Sequence, residues 1–166
     1  MPGAGALALA YSLHMAATVV WIGGLFYQAV VLTPALQSAM APEARRTLLE
    51  TLRRRFDPLA WLSLAVLIAT GLTQMAGSPH YQGLLVIRER WAAALAAKHA
   101  AIGLMVLAAA YQTWFLHPRL ARLALLERRG READAAPALR SHARLTRLNL
   151  GLGIVVLILT AIARTA

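Results

Sequence analysis

Three ionisable side chains stand inside long apolar runs of this 166-residue chain: His14, Lys98 and His99. Such groups are costly in lipid and mark a functional site by default. His14 falls about seven residues inside one apolar run, and His99 about eight inside another that runs in the same direction. At 1.5 Å per residue, both lie roughly 10–12 Å below one surface. Two imidazoles at matched depth on parallel helices can face each other across a bundle interior. That geometry suits haem b held edge-on, because histidine is an axial ligand of haem iron and bundles hold cofactors between facing helices. His14 and His99 are therefore the predicted iron ligands. Lys98, Arg88 and Arg90 are placed on the propionate side, and Trp21, two turns after His14 on the same face, packs against the cofactor or in the core. An iron with two histidine ligands has no open position, which favours electron transfer over oxygen chemistry. The bland alternative is that each histidine only hydrogen-bonds a neighbouring helix.

A copper reading uses overlapping atoms. Thioether and imidazole suit Cu(I), and His14, Met15 and His80 form the candidate set, with Met75 on the same side and Met105 deeper. Methionine is also ordinary filler in an apolar bundle. His80, in a loop, and His117 and His142, at the opposite surface, are expected to be solvated interface residues, with His80 keeping a possible ligand role. Gln28 continues the His14 face, and Asn149 is expected to bond between helices or to cap a helix start. Cysteine is absent, which excludes disulfides, thiolate metal sites, iron–sulfur clusters and covalent haem attachment. There is no G-x-S-x-G, H-E-x-x-H, phosphate loop or G-x-G-x-x-G, and no carboxylate inside an apolar run, so hydrolysis and phosphoryl transfer have no residues to carry them.

The elements that must position these groups are membrane helices. The chain is 59% hydrophobic and only 14% charged, against roughly 45–50% and about 25% in soluble domains. Its mean hydropathy is +0.57. A spanning helix needs roughly 20 apolar residues, and four segments qualify, at about 7–34, 58–76, 91–116 and 148–163. The expected fold is an all-α, integral membrane four-helix bundle formed by one domain over residues 1–166. Asp57–Pro58 reads as the start of the second helix, and His117–Pro118 as the end of the third. No basic segment precedes the first span, so it is expected to be permanent rather than a cleaved signal. No repeat with a period of 20 to 50 residues is visible.

Arginine sets the direction. Arg45, Arg46, Arg53, Arg54 and Arg55 lie between spans one and two, and Arg119, Arg122, Arg128, Arg129, Arg131, Arg140, Arg144 and Arg147 between spans three and four. The middle connection has only Arg88 and Arg90, offset by Glu89. The positive-inside rule puts loops one and three in the cytoplasm and both termini outside, with Trp61, Trp114 and Phe115 at the inner edge and Tyr81 and Trp91 at the outer. Pro42 to Phe56 has the pattern of a short amphipathic helix in the first cytoplasmic loop. The net charge of +10 is thereby explained as topology signal and anchor for anionic lipid, with no nucleic-acid role.

The run Leu13-His14, then Trp21-Ile22-Gly23-Gly24-Leu25-Phe26 and Pro34, resembles the first helix of the copper resistance protein D (CopD) family. It is also similar to the HemJ type of protoporphyrinogen oxidase, where a histidine precedes W-x-x-G-L. Lys98 matches the lysine of the third core helix in those families, and Arg144 to Gly151 looks like the CopD approach to the last span. The CopD resemblance implies copper passage or supply at the inner membrane. The HemJ resemblance implies haem b and porphyrinogen oxidation, with His14 and Lys98 as functional residues. Tyr27-Gln28-Ala29 departs from the HemJ continuation. The expected protein is thus a haem b-binding, cytochrome b-like redox protein of a bacterial inner membrane, homodimeric and served by a redox partner protein. The alternatives are a copper transport or resistance protein without haem, a protoporphyrinogen IX oxidase, and a helper subunit with no cofactor.

Overall fold

The computed structural model describes residues 3–77, 90–129 and 134–165. Among them the chain is entirely helical. Four helical stretches are long and apolar enough to cross a membrane, at Ala4–Ala39, Thr47–Ala76, Ala93–Glu127 and Ala136–Ala163. The chain is a multi-pass membrane protein. Its contacts divide into two units, Met1–Arg88 and Glu89–Ala166, each of them a helical hairpin.

In the first hairpin, α1 (Ala4–Phe26) carries no charge and passes through a π-helical turn, Tyr27–Leu32, into α2 (Thr33–Ala39). Pro34 explains the turn. Proline offers no N–H and its ring crowds the carbonyl four residues back, so the ladder shifts by one. The Thr33 N–H reaches back five residues to the Gln28 carbonyl, which also accepts the Thr33 hydroxyl at 2.6 Å. The chain then reverses at Met40–Ala41 and returns as α3 (Pro42–Ala76).

That helix corrects one expectation. The amphipathic stretch is helical, but it continues without a break into the second span, and Pro58 lies in its interior rather than at its start. Pro42 supplies the start instead, at a first-turn position where the missing N–H costs nothing. Beside Pro58, α3 is held by local ion pairs from Glu50 to Arg53 and Arg54 and from Asp57 to Arg53.

Helices α1 and α3 pack antiparallel in a constant register. The Gln74 Nε2 donates to the Ala10 carbonyl at 3.4 Å, His14 meets Thr70, and a Cβ on Gly77 would lie 3.2 Å from Leu7 Cδ2. Ala10, Ala17, Trp21, Ser63, Leu64 and Thr70 are buried. We call the Met40–Ala41 side the loop end of this hairpin and the Ala4/Ala76 side its open end.

The second hairpin repeats the plan. Helix α4 (Arg90–Tyr111) enters a π-helical turn, Gln112–Leu116, and continues as α5 (His117–Arg128). Here too a proline follows, Pro118, and the His117 N–H reaches back five residues to the Gln112 carbonyl. Helix α6 (Ala136–Thr165) returns against α4, with the Asp134 carboxylate capping the Ala136 N–H at 2.9 Å.

The likeness is written in the sequence at a longer period than a repeat search of 20 to 50 residues covers. Tyr27-Gln28-x-x-x-Leu32-x-Pro34 recurs 84 residues later as Tyr111-Gln112-x-x-x-Leu116-x-Pro118. Val66-Leu67-Ile68-x-Thr70 recurs 90 residues later as Val156-Leu157-Ile158-x-Thr160. Under the first offset, buried Ala10, Ala17 and Trp21 correspond to buried Ala94, Ala101 and Met105. Thr70 and Thr160 even make the same bond, each donating to the valine carbonyl four residues back, at 2.6 and 2.7 Å. The two hairpins are variants of one unit.

Candidate functional site

The first hairpin fixes His14 well inside α1. The Thr70 hydroxyl gives its single proton to the Val66 carbonyl, so its oxygen must accept at its second contact. That contact is His14 Nδ1, at 2.8 Å. The bond assigns the ring proton to Nδ1 and makes Nε2 the basic, ligand-type nitrogen. The ring lies over Gly71, where a Cβ would stand 3.6 Å from His14 Cε1. One turn further toward the open end on the same face of α3, Met75 is buried. Met15, next to His14 and so about 100° around the helix, is 52% exposed. Trp21 is buried, as a core or cofactor-facing residue would be.

In the second hairpin, Lys98 is half-buried and His99 exposed. His99 Nδ1 lies 2.7 Å from the Leu95 carbonyl of its own helix. A carbonyl can only accept, so His99 donates from Nδ1. The 84-residue correspondence aligns His14 with Lys98, and exposed Met15 with exposed His99. His14 and His99 belong to different hairpins. His80 and Arg88 lie outside the described residues, as does the side chain of Arg90.

For haem, the donor chemistry fits. Each imidazole has an oxygen at Nδ1, the arrangement that fixes ring orientation and raises the basicity of a metal-binding Nε2. For copper, His14 and Met75 supply imidazole and thioether on facing sides of one hairpin. No group of three or more His, Asp or Glu side chains that could hold a metal ion occurs among the described residues.

The loop end of the second hairpin carries polar residues that the sequence reading did not combine. Gln112 is buried and its Nε2 donates to the Thr146 hydroxyl at 3.1 Å and the His142 carbonyl at 3.3 Å. The Thr146 hydroxyl donates to that same carbonyl at 3.0 Å. His117 is not a solvated surface residue but 6% exposed, with its ring centroid 5.3 Å from that of half-buried His142. The cause is the π-helical turn, which widens the buried stripe so that consecutive Leu116 and His117 both face inward. Asn149 lies in mid-helix rather than at a cap and is 1% exposed. Its Oδ1 meets no hydrogen-bond donor among the described residues. The signal that could have found this cluster was the second Gln-x-x-x-Leu-x-Pro run, read against the first.

Among known families, a model described as copper resistance protein D fits residues 50–163. The matched stretch holds Lys98 and the whole α4–α6 hairpin up to Ala163, and begins beyond α1 and His14. No curated protein matches, and no solved structure matches.

Proposed function

The chain belongs to the copper resistance protein D family, and from that premise we propose that it handles copper as Cu(I) in a bacterial inner membrane. Its open ends face outward and its loop ends face the cytoplasm, a direction supported by the arginines gathered at both loop ends. The observation that carries the reading is the His14–Thr70 bond. It orients an imidazole within a span, with Nε2 as the metal-binding atom and the Met75 thioether one turn outward. Such a neutral, soft donor pair suits a singly charged copper ion that must shed water to enter. Met15 and His80 are the further ligands considered for this site. Anionic lipid is the partner for the exposed arginines of α3 and α5.

A second reading takes up one observation, the oxygen contact that His14 and His99 each make at Nδ1. In that reading His14 and His99 would hold haem b through their Nε2 atoms. Lys98, Arg88 and Arg90 neutralise the propionates, and Trp21 packs beside the ring. Bound there, haem would supply a one-electron couple for a redox partner protein, and a homodimer is the assembly proposed with it.

An oxidised and dithionite-reduced absorption spectrum of detergent-purified protein, with metal analysis of the same sample, separates the two. Copper without a Soret band is the expected result. Stoichiometric iron with sharp reduced α and β bands would replace copper with the haem reading. A colourless, metal-free sample from cells supplied with both copper and haem would overturn both.

A further inference from the structure

The return helices of the two hairpins, α3 and α6, carry their charges in opposite ways. Near the loop end of α3, Glu50, Arg54 and Asp57 are offset within the helix. Glu50 pairs with Arg53 and Arg54, and Asp57 pairs with Arg53. The 90-residue offset puts Arg140, Arg144 and Arg147 at the corresponding positions of α6. All three are exposed, and α6 contains no Asp or Glu. None of them makes an ion pair among the described residues.

Spacings of four and then three residues stack these arginines along one face, over a rise of about 10.5 Å. Cα–Cβ bonds tilt toward a helix N-terminus, which for α6 is the loop end, so all three side chains lean that way. Arg147 is the innermost. It follows Thr146, which Gln112 reaches across the hairpin, and so stands inward of the exposed aromatics Trp114 and Phe115. An arginine exposed at that depth is costly unless it extends back toward an anion at the surface. Beyond it the same face turns apolar, with Gly151, Ile154 and Ile158 all exposed. A Cβ on Gly151 would meet nothing within 4 Å, so the surface has a gap one turn from Arg147. The corresponding residue of α3 is the bulky Trp61. The second hairpin has thus exchanged offset charges and a large side chain for unpaired arginines and open backbone.

We propose that this face of α6 binds one anionic phospholipid. Arg140, Arg144 and Arg147 hold its phosphate, and an acyl chain lies over Gly151 against Ile154 and Ile158. Guanidinium is the planar donor suited to phosphate oxygens. A soluble phosphate would meet the arginines and leave the apolar half of the face unused. A phospholipid carries both chemistries in the order in which the helix presents them. Copper plays no part in this lipid site, which stands or falls apart from His14.

The test is native mass spectrometry of the full-length protein in detergent, titrated with phosphatidylglycerol, phosphatidylcholine or inorganic phosphate. Wild type is expected to saturate with one phosphatidylglycerol and to bind phosphatidylcholine far more weakly. Arg144→Gln should weaken phosphatidylglycerol about five-fold and Arg144→Gln/Arg147→Gln about 25-fold, the factors expected for arginines beside an anionic lipid. Arg54→Gln, the equivalent change in α3, should weaken it less than about two-fold on that scale, because Glu50 already offsets the charge. Gly151→Trp, which copies α3, should weaken it with every arginine in place, and Gly151→Leu serves if that variant misfolds. Equal losses from Arg54→Gln and Arg144→Gln would show attraction by net charge alone and refute the site, as would equal binding of the two lipids. Binding unchanged by the Gly151 substitutions, or full competition by inorganic phosphate, would reduce it to a soluble-anion contact and overturn the lipid assignment.

Discussion

The two hairpins share a frame and differ in where they keep their polar groups. Each begins with an apolar helix, enters a π-helical turn ahead of a proline, and returns as a second helix whose Val-Leu-Ile-x-Thr run lies toward the open end. In the first hairpin the interhelical polar contact from His14 lies in that open half, on Thr70. In the second, the interhelical bonds lie at the loop end, where Gln112 bridges to Thr146 and the His142 carbonyl. Thr70 meets an imidazole across the hairpin, whereas its counterpart Thr160 bonds to the Val156 carbonyl of its own helix. The scaffold is thus common and the chemistry is set by a few substitutions within it. The same turn can support an ordinary threonine, Thr33, or bury a histidine, His117.

The contrast can be broken most sharply at the two threonines. Thr70→Val removes the oxygen that orients His14 and should weaken Cu(I) binding about 10–100-fold, or about 1.4–2.7 kcal/mol. Thr160→Val, which removes only a bond within α6, should change it less than about two-fold on the same scale. Equal effects in a competition titration would show that the hydroxyls act alike and that His14 is not positioned by Thr70. Next come the two glutamines. Gln112→Leu loses both interhelical bonds and should destabilise the protein by about 1 kcal/mol, near the range for polar contacts between membrane helices. Gln28→Leu, at the equivalent position but half-buried, should cost only a few tenths on that scale. Steric-trap or denaturant unfolding reads the difference, and a larger cost at Gln28 would reverse the assignment.

A smaller effect is expected at Asn149, whose buried Oδ1 meets no donor among the described residues. Asn149→Leu should raise stability by about 0.5 kcal/mol, since an unsatisfied buried carbonyl is removed. A clear loss would mean that the amide is bonded in the membrane or works on a ligand. The smallest effect belongs to Gly71→Ala. The repeat already holds alanine at Ala161, and the added Cβ would make ordinary contact with the His14 ring. Stability and copper binding should both stay within about 0.3 kcal/mol of wild type, and a loss would show that His14 needs more room than its contact with Gly71 implies.

Much of the architecture was legible from hydropathy and charge. Four apolar runs give four helices, because backbone groups in lipid must be satisfied within the helix itself. The helix ends were harder to read. Pro58 looked like a start because proline favours the first turn, yet the amphipathic helix before it extends the same axis, and a helix interior can absorb one missing N–H. At the candidate site, ranking ionisable residues by depth picked out His14, Lys98 and His99, but depth says nothing about the helix face. One residue is about 100° of rotation, enough to separate exposed His99 from half-buried Lys98. The His117–His142 pair was missed for a related reason. A π-helical turn inserts a residue into the helical period, so a histidine that regular spacing assigns to the surface is turned inward.

His14 is the proposed metal-binding group of the first hairpin. Its most direct test is the number of Cu(I) ions held per chain by wild type and by His14→Ala, measured anaerobically on protein whose helicity is unchanged. His14→Ala is expected to hold one ion fewer than wild type. Identical binding by the two proteins would contradict it.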